Sequence, residues 1–332
     1  MQITARILRN WADEGGIPDL TLAELDYRLV YALRAIYTDP FLRDRLYLKG
    51  GTALNKFYVP GTSRLSVDLD FNAVGSKEQV LQERTAIGEA IAAALEQQDS
   101  SYDLTYRGRY DQLTVYARFS PLSGTARQRL KVEVSFIERF AILGRVEHPL
   151  VPAPFDEPLA VNTYHLEELT STKLRALYDR RKGRDIYDLF RIAELDLSQA
   201  AVRKMVIYSF YRAYKVFHYP TFVSNVELKI AERGLRDDVR ALIRHGTELD
   251  WETACQQVLA RFEFLGDLDD RDLLFLDLAK FLLGKPYPRA REAFLQEIER
   301  PLAWLMEGLP ISAEAQAMTQ EDIKPFRPHA EV

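Results

Sequence analysis

Apolar residues recur at helical spacing through Leu22, Leu25, Leu29, Leu33 and Ile36, and Thr21-Leu-Ala-Glu24 has the Thr-x-x-Glu pattern of a capping box. A helix is therefore expected to open at Thr21 and to stop at Pro40. A short segment through Leu46 then leads into Tyr47-Leu48-Lys49-Gly50-Gly51-Thr52, with a helix start expected over Ala53–Phe57. Beyond the Pro60-Gly61 loop the period changes to two, and residues Leu65 to Asn72 read as a strand. Ser76, with Gln79 three positions on, caps a second helix that turns Val80, Ile87, Ile91 and Leu95 inward. Strand-like runs follow near 102–107, 112–119 and 129–137, the last two joined by a turn around Ser123-Gly124.

From Leu166 to about Leu305 the pattern is helical almost throughout. Breaks are expected at Gly183, His218-Tyr219-Pro220, Gly234, Gly246 and Gly284-Lys285-Pro286. The expected fold class is α+β: a mixed sheet with flanking helices, then a C-terminal helical bundle. The proline-bearing stretch His148–Pro158 predicts the boundary, giving domains of 1–150 and 151–332. The last twenty or so residues are polar and proline-punctuated, the pattern of a loosely held tail.

Composition narrows the classes. The 332 residues are 47% hydrophobic and 28% charged, which is globular and long enough for about two domains. A net charge of −5 argues against a uniformly basic nucleic-acid coat, although local patches remain open. The one cysteine, Cys255, excludes an internal disulfide framework and a multi-cysteine zinc site, and reads as a small core residue. The N-terminal stretch has no signal-peptide core, and no apolar run approaches ~18 residues, so a cytoplasmic protein without membrane spans is expected. The five histidines are scattered, and neither a Walker-A loop nor a Gly-x-Ser-x-Gly elbow occurs.

The chemistry-bearing residues are acidic. Along 65–72, Leu65, Val67, Leu69 and Phe71 share one face, while Ser66, Asp68, Asp70 and Asn72 share the other. Carboxylates at i and i+2 lie roughly 7 Å apart along a strand, close enough to share hard cations such as Mg²⁺; a solvated edge-strand face would read the same way. Upstream, Gly50-Gly51-Thr52 lets a backbone approach a phosphate. Glu133 lies on the polar face of 130–136 with Lys131 and Ser135, and would join the aspartates if the two strands were neighbours. Lys173 shares a stripe with Leu169 and Leu177, so its ammonium either snorkels to solvent or meets a polyphosphate. Asp185 and Asp188 follow Gly183 on one helix side, either as chemical groups or as partners of the adjacent arginines. Lys173, Arg175, Arg180, Arg181, Lys182 and Arg184 form one basic cluster, and Arg127, Arg129 and Lys131 a second; each could hold an RNA backbone or be a solvated surface.

Four segments in this order, Leu48-Lys49-Gly50-Gly51-Thr52-Ala53-Leu54, Arg64-Leu65-Ser66-Val67-Asp68-Leu69-Asp70, Lys173–Leu177 and Gly183-Arg184-Asp185-Ile186-Tyr187-Asp188-Leu189, resemble the AbiEii/AbiGii nucleotidyltransferase toxins of the DNA polymerase β-like superfamily. The resemblance spans roughly residues 25–195. Gly51-Thr52 stands where the superfamily commonly has Gly-Ser. It implies transfer of a nucleoside monophosphate from an NTP to an acceptor, with the tRNA 3′ end as the expected acceptor and a block of translation as the result. It further implies Mg²⁺ or Mn²⁺ on Asp68, Asp70 and Glu133, and nucleotide binding by Lys49, Gly50, Gly51, Thr52, Ser66 and Lys173. Asp68, Asp70, Glu133, Lys173, Asp185 and Asp188 become the expected catalytic set, and a cognate antitoxin the expected partner. A protein or small-molecule acceptor, or a non-catalytic RNA- or partner-binding role, are the alternatives.

Overall fold

The computed structural model describes residues 3–61, 64–109, 111–150, 157–230, 232–284, 304–305, 307–318 and 322. The chain forms two compact units. The first comprises Met1–Phe140, Arg145–Tyr164 and Val239–Glu248, and the second Ala141–Gly144, His165–Asp238 and Leu249–Val332.

The first unit is built on a seven-stranded sheet: β1 (Leu46–Lys49), β2 (Leu69–Ala73), β3 (Asp103–Gly108), β4 (Gln112–Phe119), β5 (Gln128–Ser135), β6 (Arg145–Leu150) and β7 (Leu159–Tyr164). Their order across the sheet is β3-β4-β5-β2-β1-β7-β6. Pairing is antiparallel except between β2 and β5 and between β1 and β7. Helices α1 (Ala5–Gly15), α2 (Leu20–Thr38), α3 (Pro40–Arg43) and α5 (Lys77–Gln98) belong to this unit, with α2 and α5 packed on the sheet. A short turn, α4 (Gly50–Ala53), leaves β1 directly and continues as a π-helical turn over Leu54–Tyr58. Alternate residues of the central strands, among them Val115, Val132, Val134, Leu69 and Phe71, are buried to 0% exposure and form the core layer beneath the helices.

The expected capping box at Thr21 does not form. Asp19 caps α2 instead, its carboxylate accepting from the Thr21 and Leu22 amides, while the Thr21 hydroxyl donates to Ser123 O. Glu24 is fully buried and engaged elsewhere, accepting from Arg28 at 2.9 Å and from the Leu122 amide at 2.7 Å. Arg28 also reaches Asp99 at 2.7 Å and lies 4.1 Å from the Phe119 ring centroid. Burial raises the Asp99 pKa, but hydrogen bonds from Ser101 and Arg28 outweigh it, and the group titrates below its ordinary 3.8. A depressed carboxylate contributes stability that is present above 3.8 and lost as pH falls through the lower folded pKa. Asp99→Asn should therefore flatten the acid limb of a melting-temperature profile below about pH 4, and an unchanged limb would remove Asp99 as its source.

The second unit is helical: α6 (Leu166–Asp179), α7 (Gly183–Ile192), α8 (Gln199–Arg212), α9 (Tyr219–Ile230), α10 (Arg233–Arg240), α11 (Trp251–Arg261) and α12 (Asp270–Gly284). Thus the α+β arrangement of a mixed sheet followed by helices is what the chain forms. Pro220 sits in the first turn of α9, where its missing N–H costs nothing. The helical run is interrupted between Ile230 and Arg233, just ahead of Gly234, the second residue of α10, and Gly246, at φ +78°, sits in a turn. β6 and β7 were not legible in the sequence, because Pro149 and the proline-rich flank mask their alternation. Of the stretch read as a domain boundary, residues 151–156 lie outside the described residues, as do Lys285, Pro286 and most of the polar tail. Cys255 is fully buried, and burial pushes its thiol up to about 12, as befits an inert core residue. Among the described residues no helix is long and apolar enough to cross a membrane.

Candidate active site

In the sheet unit the chemistry gathers where β1 ends. Lys49 pairs with Asp70 across the antiparallel β1–β2 ladder, and the chain then turns sharply at Gly50 with φ +73°. A Cβ on Gly50 would lie 2.8 Å from Asp70 Oδ2, so glycine is required both by the backbone and by the carboxylate beside it. A Cβ on Gly51 would press on the Arg64 guanidinium, which is buried against that turn. The Thr52 hydroxyl donates to Asp68 O at 2.6 Å, and the Asn55 side chain donates to Arg64 O. The Gly-Gly-Thr turn therefore clamps the segment that carries the aspartates.

That segment is less regular than its alternation suggests. Ladder pairing begins only at Leu69; Leu65–Asp68 are held from outside the sheet, by the Leu65 amide on Leu242 O and by Thr52. The Ser66 hydroxyl is buried and has no hydrogen-bond partner.

The parallel β2–β5 pairing sets Asp70 directly beside Glu133, the adjacency on which the sequence reading depended. Lys131, two residues before Glu133, is ion-paired with it. Burial and then the neighbouring Asp68 push the Asp70 carboxyl up to about 6; Lys49 opposes the shift, Glu133 adds to it and Lys131 opposes it. Burial disfavours the Lys131 ammonium, yet Glu133, Asp70 and Asp68 together hold its pKa above the ordinary value. Lys49 donates to Asn72 and lies 3.9 Å from Glu138, while Asn72 donates to the Tyr164 hydroxyl.

Asp68, Asp70 and Glu133 are hard oxygen donors, the ligand type that Mg²⁺ and Mn²⁺ take, and the charges of Asp68 and Glu133 both raise the Asp70 pKa. Among the described residues no group of three acidic, histidine or cysteine side chains is already gathered as a metal cage. Lys131 supplies positive charge beside Glu133.

In the helical unit, Lys173 on α6 is buried at 6% exposure, its ammonium 2.6 Å from Asp188 and 3.6 Å from Asp185. That burial does not describe an ammonium snorkelling to solvent; two carboxylates hold it instead. Asp185, fully buried at the third position of α7, also takes a bidentate contact from Arg180 at 2.7 and 2.9 Å. Its place in the first turn is favoured by the helix dipole. Gly183 opens α7 because a Cβ there would collide with the Leu235 carbonyl. The sequence reading missed Lys229. It is buried at 4% exposure with no hydrogen-bond partner for its ammonium among the described residues; burial lowers its pKa, and nearby Asp185 opposes the shift. The signal was available, since Phe222, Val226 and Lys229 share a helical stripe.

Comparison with known proteins gives the chain's family. The profile of a family described as nucleotidyl transferase AbiEii toxin, type IV TA system, matches residues 31–262. Among solved structures, MenT4, a nucleotidyltransferase toxin from Mycobacterium tuberculosis H37Rv, superposes with a TM-score of 0.64 at 22% identity, covering 92% of this chain and 99% of that one. JHP933 from Helicobacter pylori matches with a TM-score of 0.46 at 16% identity, over 77% of this chain and 97% of that one. No curated protein matches.

Proposed function

The chain belongs to the AbiEii family of nucleotidyltransferase toxins of type IV toxin–antitoxin systems, and we propose that it transfers a nucleoside monophosphate from an NTP to the 3′ end of an RNA, tRNA foremost. The observation that carries this reading is the register that sets Asp70 beside Glu133, with Asp68 next to them and Gly50 closing on the Asp70 carboxylate.

In the reaction, the acceptor 3′ oxygen bonds to the α-phosphorus, the α–β bridging P–O bond breaks, and pyrophosphate leaves with its electron pair. Glu133 takes the hydroxyl proton. Asp68, Asp70 and Glu133 would hold Mg²⁺ or Mn²⁺, which when bound supplies positive charge for the α-phosphate and the leaving oxygen. Gly50, Gly51 and Thr52, flanked by Lys49 and the unpartnered Ser66 hydroxyl, are assigned to the nucleotide's phosphates. For Lys173 the proposal is narrower: contact with phosphate requires exchanging its bonds to Asp188 and Asp185 for phosphate oxygens. Adding residues to the 3′ end of tRNA would block translation, and a cognate antitoxin would restrain that activity.

The test is incubation with each α-³²P-labelled NTP and Mg²⁺ in the presence of total cellular RNA and protein, followed by resolution of the labelled species. Label in the tRNA fraction is expected. Label confined to protein or to small molecules would overturn the RNA acceptor while leaving the nucleotidyltransferase itself standing.

A further inference from the structure

The strands that carry the acidic residues continue sideways into a surface with a different character. On β5 the side chains of Leu130, Val132 and Val134 are buried, so Arg129, Lys131 and Glu133 occupy the opposite face. On β4, Leu113, Val115 and Ala117 are buried, leaving Thr114, Tyr116 and Arg118 on that same opposite face. Register then aligns three rows across the sheet. Across successive strands one row runs Asp70, Glu133, Thr114, Arg107; the next Lys131, Tyr116, Thr105; and the third Arg129, Arg118, Asp103. The sheet face that holds the carboxylates is therefore continuous with one holding Tyr116 and three arginines.

The charge on this extension is positive in a chain whose net charge is −5. Asp103 is the one acid the three rows place beyond Glu133, and it is half exposed, 3.9 Å from Arg118 and 3.5 Å from Arg127. Exposed pairs of this kind contribute little, so their guanidinium groups can turn to phosphate at small cost. Arg129 lies with its guanidinium carbon 5.3 Å from the Tyr116 ring centroid, a cation and an aromatic presented together. Tyr116 stands two strand spacings from β2, about 10 Å, within reach of the nucleotides adjoining a 3′ terminus at the carboxylates.

We propose that the face of β5, β4 and β3 opposite the core, partly exposed at Tyr116 and Arg118 and open at Arg129 and along β3, holds the single-stranded 3′ segment of the acceptor RNA, with Tyr116 and Arg129 stacking a base and Arg118, Arg107 and, just before β5, Arg127 contacting the backbone. This rests on the RNA-acceptor reading above. The charge complementarity selects a polyanion. The aromatic–arginine pair on an open sheet selects unpaired bases, because bases within a duplex expose no ring face to it.

The test uses the full chain, Mg²⁺ and a tRNA acceptor, comparing wild type with the triple variant Tyr116→Ala/Arg118→Ala/Arg129→Ala. Removing one stacking platform and two cations should raise KM for RNA by at least about tenfold. KM for the NTP and the melting temperature should stay unchanged, and kcat should change little. Anisotropy of a labelled single-stranded RNA should show the same loss of affinity and a shallower dependence on salt. Tyr116→Phe, which keeps the ring, should retain wild-type KM. An RNA KM unaltered in the triple variant, while wild type labels RNA, would overturn this surface alone. Failure of wild type to label any RNA would overturn the acceptor reading and this surface with it.

Discussion

Asp70→Asn should lower nucleotide transfer by at least about a thousandfold, the scale of losing one essential catalytic group, while leaving the fold as stable as wild type or more so. The two halves of this expectation share one cause. Asp70 is partly buried beside Asp68 and Glu133, and repulsion from those two carboxylates disfavours its charged form. Asparagine has nearly the same shape and no charge, so it relieves the repulsion and removes the ligand. Asp68→Ala should give the same loss of transfer. The measurements are incorporation from α-³²P-NTP and thermal melting in metal-free buffer. Retained transfer in either variant would remove the site; loss of transfer together with a collapsed melting temperature would assign the aspartate to the fold instead.

The second large effect lies in the helical unit and concerns stability. Lys173→Met keeps the length of the side chain but removes the ammonium from two buried carboxylates. Asp185 retains Arg180. Breaking a buried pair by removing one partner costs about 3–5 kcal/mol. Adding Asp188→Asn should restore part of that, because one of the two carboxylates that faced the ammonium loses its charge. Chemical denaturation of the four proteins of this cycle gives the coupling. If the double variant is no more stable than Lys173→Met, the pair does not carry the stability of α6 against α7.

Much of the site could be read along the chain because its signals are local. Asp68 and Asp70 at alternate positions, glycines at 50 and 51, and Lys173 on a leucine stripe are statements about neighbours a few residues apart. The same logic failed where a side chain was claimed by something distant. Glu24 looked like the second half of a capping box, yet it serves Arg28 and the Leu122 amide. The segment Leu65–Asp68 alternated like a strand, yet the first of these residues is anchored to Leu242 and the last to Thr52. The pair β6 and β7 escaped notice because proline obscures a period of two even where a strand forms around it.

What the sequence by itself determined is the list of reactive groups and the local elements that bear them, since period, caps and glycine requirements are properties of short stretches. What only the tertiary structure decided is which charges meet. The parallel pairing of β2 with β5 brings Glu133 to Asp70 although the two lie far apart along the chain. The folding of α7 against α6 commits the Lys173 charge to Asp188 rather than leaving it free. Both follow from the same physics: Coulomb energy and desolvation depend on distance in space and on the surrounding dielectric, and neither is written in the order of residues.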